Sequence, residues 1–305
     1  MKNSTQVLYF TLAAFTDVKL LKYFLFLVIL CFYLLIMCSN LLLISVICMN
    51  RSLHEPMYVL LCSLFVNELY GSTALFPFLL LQILSDVHTV SASFCFLQIF
   101  CLYTYVCIEF YNLAIMSYDR YVAICLPLQY HTRMTARKIS VLVCVSWVHP
   151  AVVCLIPICL SASLQLCGSV INKIYCDNYA IVQLSCSDTT INNIYGLVAT
   201  FVVVSFPVSL ICYTYVSILQ VCFSGSRQTR QKAVSTCTPH LASLLNLSCG
   251  CFFEIFQSRF DMTHVPNTFR VFLSLYWLVC QPLFNPVMYG LKVSHIRKFL
   301  KKSLR

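Results

Sequence analysis

The chain has 305 residues, of which 60% are hydrophobic and only 10% charged, and its formal net charge is +10. Soluble domains carry about 25% charged residues, so this composition excludes an ordinary water-soluble domain and makes lipid the expected solvent. The excess of Lys and Arg then suits an anionic membrane surface rather than nucleic acid.

Crossing a hydrocarbon core about 30 Å thick takes roughly 20 apolar residues in a helix. In chain order, Asn3-Ser4-Thr5 fits a glycosylation sequon. No acidic or basic residue lies between Lys22 and Arg51, which predicts a first span over 23–49. That run is too long for a signal-peptide core and no small-residue cleavage site follows it, so it is expected to stay attached. A second span is predicted over 57–84, carrying Glu68, and a third over 93–125, carrying Glu109. The fourth (139–162) and fifth (192–222) are free of charge, the sixth (233–259) carries Glu254, and the seventh covers 269–290. A basic tail follows, read as an amphipathic helix over 292–302. Linkers are short and no repeat occurs. The expected architecture is therefore all-α, a seven-transmembrane helix bundle of one domain over 1–305 with a short cytoplasmic amphipathic helix after the seventh helix.

Of the 20 Lys and Arg, only Lys2, Lys19, Lys22, Lys173, Arg259 and Arg270 fall in segments placed outside. The positive-inside bias then sets the N-terminus outside and the C-terminus in the cytosol of a multi-pass plasma-membrane protein. The segment from Ser163 to Thr190 holds Cys167, Cys176 and Cys186, and Cys95 starts the third span on the same side. Four thiols in an oxidising compartment allow three pairings. The remaining cysteines mostly sit within spans and read as small apolar packing residues.

An ionisable group inside the bilayer is costly and marks function. Glu68 lies eleven residues beyond Met57, and Glu109 eleven before Arg120, so both sit about 16 Å in from the inner face. Asn40 and Asn285 reach similar depths. Two carboxylates this close need either a bound sodium ion or one shared proton; the plainer reading is a structural hydrogen-bond network. Arg120 can pair with Asp119 and cannot lose its charge, which suits a group that changes partners. Arg259 and Arg270, near the outer ends of spans six and seven, could fork onto a ligand carboxylate or snorkel to headgroups.

Met116-Ser117-Tyr118-Asp119-Arg120-Tyr121-Val122-Ala123-Ile124-Cys125 resembles the M-A-Y-D-R-Y-V-A-I-C signature of odorant receptors. Leu53-His54-Glu55-Pro56-Met57-Tyr58 is similar to their first intracellular loop, and the run from Lys232 to Leu241 to the start of their sixth helix. Asn285-Pro286-Val287-Met288-Tyr289 matches the N-P-x-x-Y ending of rhodopsin-like receptors. Ser39, Cys212 and the pair Ser248-Cys249 depart from the family pattern. Leu69-Tyr70-Gly71 and Ser258-Arg259-Phe260 look like the branch serving water-borne odorants.

The resemblance implies a receptor that binds a small odorant in its outer half and activates a heterotrimeric G protein of the cyclic-AMP-raising olfactory type. Its coupling and switch residues would be Asp119, Arg120, Tyr121, Tyr213, Lys232, His240, Asn285, Pro286 and Tyr289. Its ligand would meet Leu102, Tyr103, Val106, Cys107, Phe201, Cys251, Ile255 and Arg259, and the arginine makes an acidic ligand an expectation. A sodium ion would sit with Glu68, Glu109 and Asn285, with no other cofactor. Cys95 would bridge Cys176, and Cys167 would bridge Cys186.

A non-olfactory rhodopsin-like receptor shares the fold, but Leu102 stands where amine receptors place an Asp. A transporter would show inverted repeats and broken helix pairs. An enzyme would need a motif such as H-E-x-x-H or G-x-S-x-G, and neither occurs. Epitope tags test the orientation: an N-terminal tag should stain on intact cells and a C-terminal tag only after permeabilisation. Both tags on one side would remove the seven-span reading.

Overall fold

The structure, a computed structural model, describes residues 7–15, 21–224, 227–260 and 264–292. Asn3 and the tail beyond Lys292 lie outside the described residues. In chain order the helices are α1 (Leu21–Met49), α2 (Pro56–Leu84), α3 (Ala92–Cys125), α4 (Tyr130–Arg133), α5 (Ala136–Ala162), α6 (Asn178–Gln183), α7 (Thr190–Ser224), α8 (Arg227–Arg259) and α9 (Asn267–Lys292). Seven of them, all but α4 and α6, are long and apolar enough to cross a membrane.

Local chemistry sets the helix ends. Pro56 opens α2, where a missing N–H leaves no helical hydrogen bond unmade. Ser91 Oγ accepts the Phe94 amide at 3.4 Å to cap α3. Thr135 Oγ1 accepts the Lys138 amide at 3.3 Å, so α5 begins at Ala136 and takes Arg137 and Lys138 into its first turn. Charge-free length alone starts that span at 139. In the same way α8 begins at Arg227, although the part apolar enough to span is Cys237–Arg259.

The bundle is apolar outside and polar along its axis. Phe24 and Leu27 on α1 and Phe206 on α7 are exposed, whereas Asn40, Asn67, Glu68, Glu109, Asn112 and Asn285 are fully buried. In lipid this inversion is favourable, since the outer face meets hydrocarbon and the polar groups must find partners within the protein. The proline at 286 inside α9 obeys the same rule. Pro286 has no N–H to give the Pro282 carbonyl one turn earlier in α9, and Asn40 Nδ2 on α1 donates to that carbonyl at 3.1 Å.

A three-stranded sheet caps the Cys95 end, which hydrophobic patterning does not anticipate. Its strands β1 (Tyr9–Leu12), β2 (Thr89–Ser91) and β3 (Val170–Ile171) lie in the order β2-β1-β3. β1 runs antiparallel to β2 and parallel to β3. Strands of two to four residues are too short for alternation to register in the sequence. Even so, Phe10 and Leu12 point inward to a cluster with Cys95, Ile99, Ile158 and Cys176. Cys95 is bonded to Cys176 and Cys167 to Cys186, with Cα atoms 5.4 and 5.5 Å apart. The first bridge ties the β3 loop to the start of α3, and the second closes that loop on itself.

Candidate functional site

Three polar zones follow one another along the bundle axis. At the inner end, that of Asp119, the Asp119 carboxylate is fully buried and accepts Arg120 Nε at 3.0 Å as well as Arg120 Nη2. Its other oxygen accepts Tyr130 OH at 2.8 Å, so α4 holds the same carboxylate. Burial, then the charge of Asp119, pushes the Tyr130 phenol above its ordinary pKa. Tyr121 packs against Tyr213 with ring centroids 6.1 Å apart, and Tyr213 is 61% exposed. The buried phenol on α7 is Tyr215, whose hydroxyl has no hydrogen-bond partner among the described residues. Tyr289 OH and His240 Nδ1, both buried, share a hydrogen bond of 3.2 Å, and Pro286 is buried a turn earlier. The Lys232 side chain lies outside the described residues.

The middle zone joins α2, α3, α8 and α9. Asn285 Nδ2 donates to both Glu68 Oε1 and Glu109 Oε1, the latter at 2.7 Å. Tyr105 OH donates to Glu68 Oε2 at 2.9 Å, Asn67 Nδ2 to Glu109 Oε2 at 2.9 Å, and Gln281 Nε2 to Glu109 Oε1 at 3.1 Å. Ser243 Oγ completes the set by donating to Asn285 Oδ1 at 2.7 Å. Among the described residues no Lys or Arg pairs with either glutamate. The donor set fits a hard monovalent cation, which takes oxygen ligands. Besides the carboxylates, Asn67 Oδ1 and Ser72 Oγ are buried oxygens of α2 without a partner among the described residues. Exchanging the ends of the Asn285 amide would add an oxygen, and which end faces the carboxylates is fixed only by the surrounding network. Gly71 makes the zone possible, because a Cβ there would overlap the Tyr105 ring. The glycine lets α2 and α3 approach until Tyr105 reaches Glu68.

The outer zone is a cavity of about 450 Å³ between α3, α5, α7, α8 and the loop around α6. Leu102, Tyr103, Val106, Cys107, Phe201, Cys251, Ile255 and Arg259 all line it. Phe201 and Ile255 give it only part of their surface, since they are 72% and 47% exposed. The Arg259 guanidinium lies 3.9 Å from the Tyr179 ring centroid, a cation–π contact.

A charged cluster at this cavity escapes sequence reasoning. Lys173 Nζ donates to Glu254 Oε1 at 2.5 Å and to Ser258 Oγ at 2.7 Å, and lies 3.6 Å from Asp177 Oδ1. Asp177 also accepts Tyr103 OH at 3.1 Å and caps α6 through the Ala180 amide at 3.0 Å. Burial works to lower the Lys173 pKa, but Asp177 and Glu254 together outweigh it and hold the ammonium above its ordinary value. Lys173 and Glu254 are 81 residues apart, and no local pattern links a loop lysine to a carboxylate of a distant helix. The signal that could have flagged Glu254 is its charge within a span, the argument that singles out Glu68 and Glu109.

Comparison with known proteins gives one answer. A family profile described as "Olfactory receptor" matches residues 29–305. The chain is 31% identical to human "Olfactory receptor 10J5" over 303 residues, 98% of this chain and 96% of that protein. It is 32% identical to mouse "Olfactory receptor 6E1" over 305 residues, 99% of this chain and 96% of the relative. It is 33% identical to human "Olfactory receptor 11A1" over 300 residues, covering 97% and 93% of the two chains.

The contact at Gly71 gives a direct test of the middle zone. Gly71→Ala should force the Tyr105 ring off Glu68 and destabilise the bundle by about 1–3 kcal/mol, the usual cost of overpacking. Thermal unfolding of the detergent-solubilised protein would read the loss. An unchanged midpoint would mean that the two helices are free to part.

Proposed function

Because the chain belongs to the olfactory receptor family, we propose that it binds a small odorant in the 450 Å³ outer cavity and activates a heterotrimeric G protein at its Asp119 end. The family assignment makes it a receptor and not an enzyme. Its seven spans and its relatives place it in the membrane as a multi-pass protein, with the N-terminus outside and the C-terminus in the cytosol in this reading. The G protein is the olfactory type that raises cyclic AMP.

The observation that carries the proposal is the separation of two sites on one bundle, a mainly apolar cavity at one end and a buried ion pair at the other. The Asp119–Arg120 pair holds the inner end of α3 in its resting arrangement. Outward movement of α8 would break the Tyr289–His240 contact and open a groove for a partner helix. Arg120 would then exchange Asp119 for a phenol of α7 or α9, with Tyr215 already buried beside Tyr213 as a candidate. Ser243 and Asn285 connect that movement to the middle zone, where Glu68 and Glu109, with Asn67 and Ser72, would hold a sodium ion while the receptor rests. The ion would neutralise charge there that the described residues leave unpaired. At the cavity, Arg259 would receive a ligand carboxylate, which suits an odorant carried in water.

Arg120→Ala should abolish odorant-stimulated cyclic AMP at normal surface expression, and full retention of signalling would remove the switch role. Replacing sodium with choline in the medium should shift the agonist dose–response curve to higher potency, because the ion stabilises the resting form. Superimposable curves would argue for a shared proton between Glu68 and Glu109 instead.

A further inference from the structure

The cavity has a donor pole at Arg259 and, apart from it, a set of oxygens of lining residues left without donors. Glu254 Oε2, Asn178 Oδ1 and Asn193 Oδ1 are buried atoms of lining residues, and none has a hydrogen-bond partner among the described residues. Glu254 Oε2 can only accept, and Asn193 Oδ1 is set as an acceptor because its Nδ2 donates to Thr189 Oγ1 at 3.2 Å, whereas the Asn178 amide can present either end. A buried acceptor without a donor is costly, so an occupant that brings donors is favoured beside these residues.

Charge points the same way. Among the described residues, Lys173 is the only cation within 4.0 Å of Asp177 or Glu254, so one ammonium stands against two carboxylates. Lys173 cannot also serve Glu254 Oε2, since it is already directed at Glu254 Oε1, Ser258 Oγ and Asp177 Oδ1. Arg259 forms a separate positive pole. It lies five residues further along α8 and rests on Tyr179. Deeper along the helices the lining is apolar, with Val106, Phe110 and Val203.

We propose that the ligand is a small zwitterion with an apolar body, of the α-amino acid class. Its ammonium donates to Glu254 Oε2 and its carboxylate is received by Arg259. The side-chain amide oxygens of Asn178 and Asn193 are the further acceptors for its N–H groups. A donor-rich cationic head satisfies acceptors that a carboxylate or an alcohol alone would leave without a partner, and a ligand of zero net charge leaves the balance of Lys173, Arg259, Asp177 and Glu254 unchanged. The inference rests on the cavity being the receptor's ligand site, as proposed above.

The test uses three probes with nearly the same apolar body: leucine, 3-methylbutylamine, which lacks the carboxylate, and 4-methylpentanoate, which lacks the amine. Binding to the full-length protein in lipid nanodiscs would be measured by calorimetry. Leucine should bind tightest, the amine more weakly, and the acid weakest. Glu254→Gln should weaken leucine and the amine by about tenfold or more, the range of a lost hydrogen bond to a charged group, and leave the acid unchanged. Arg259→Gln should weaken leucine and the acid but not the amine. Glu254→Gln also alters the partner of Lys173, so Asn193→Leu, which leaves that ion pair intact, should weaken leucine several-fold in a protein of unchanged thermal midpoint. The proposal is overturned if the acid binds as tightly as leucine, if leucine is indifferent to Glu254→Gln, or if neither leucine nor the amine binds. Cyclic AMP measured in cells separates the two claims. A neutral odorant that signals through the same cavity while leucine fails would sink only the zwitterion. Leucine binding without any G-protein response would sink only the receptor reading.

Discussion

Two fully buried glutamates bound by a single amide hold this bundle to one arrangement. Glu68 on α2 and Glu109 on α3 both accept Asn285 Nδ2 of α9, and each also takes a donor from a neighbouring helix. In hydrocarbon these carboxylates have no water to fall back on, so their partners must come from the protein or from a bound cation or proton. That requirement fixes the rotation of α2, α3 and α9 about their axes. Gly71 and Tyr105 are the steric half of the same device, because the carboxylate is reached only where the helices come close.

From this centre the polar contacts run both ways. Toward the inner end, Ser243 joins Asn285 to α8, which also carries His240 against Tyr289. Toward the outer end, Asn246 Nδ2 donates to Gln281 Oε1 at 2.6 Å, and Asn246 Oδ1 accepts Tyr276 OH at 2.9 Å. Helix α8 thus touches the outer cavity through Glu254, the centre through Ser243 and the inner end through His240. A ligand that alters how α8 sits at its outer end acts on the element whose inner end faces the Asp119–Arg120 pair. The contacts form a physical route for coupling; its strength is a matter for measurement.

The outer end is cross-linked several times over. A sheet of three short strands, the Cys95–Cys176 disulfide and the Lys173 cluster tie the loop around α6 to α3 and α8, and Cys167–Cys186 closes that loop on itself. Asp177 serves three of these ties at once, as partner of Lys173, acceptor for Tyr103 and cap of α6.

The spans were legible from the chain because lipid imposes a length and forbids charge, and both are local properties of a run of residues. The signature around Asp119-Arg120-Tyr121 and the N-P-x-x-Y ending were equally local, and with them came the family. Depth counting brought Glu68, Glu109, Asn40 and Asn285 to one level, since a helix rises by a constant amount per residue. What depth cannot give is rotation, and only packing decided it. The tertiary structure turned Tyr215 inward beside an exposed Tyr213, set Asn40 against the carbonyl that Pro286 leaves free, and paired Lys173 with Glu254 across 81 residues. It also made strands of loop residues, because their partners lie in three separate stretches of chain. Such contacts depend on which faces meet after the helices dock, and no short window of sequence carries that information.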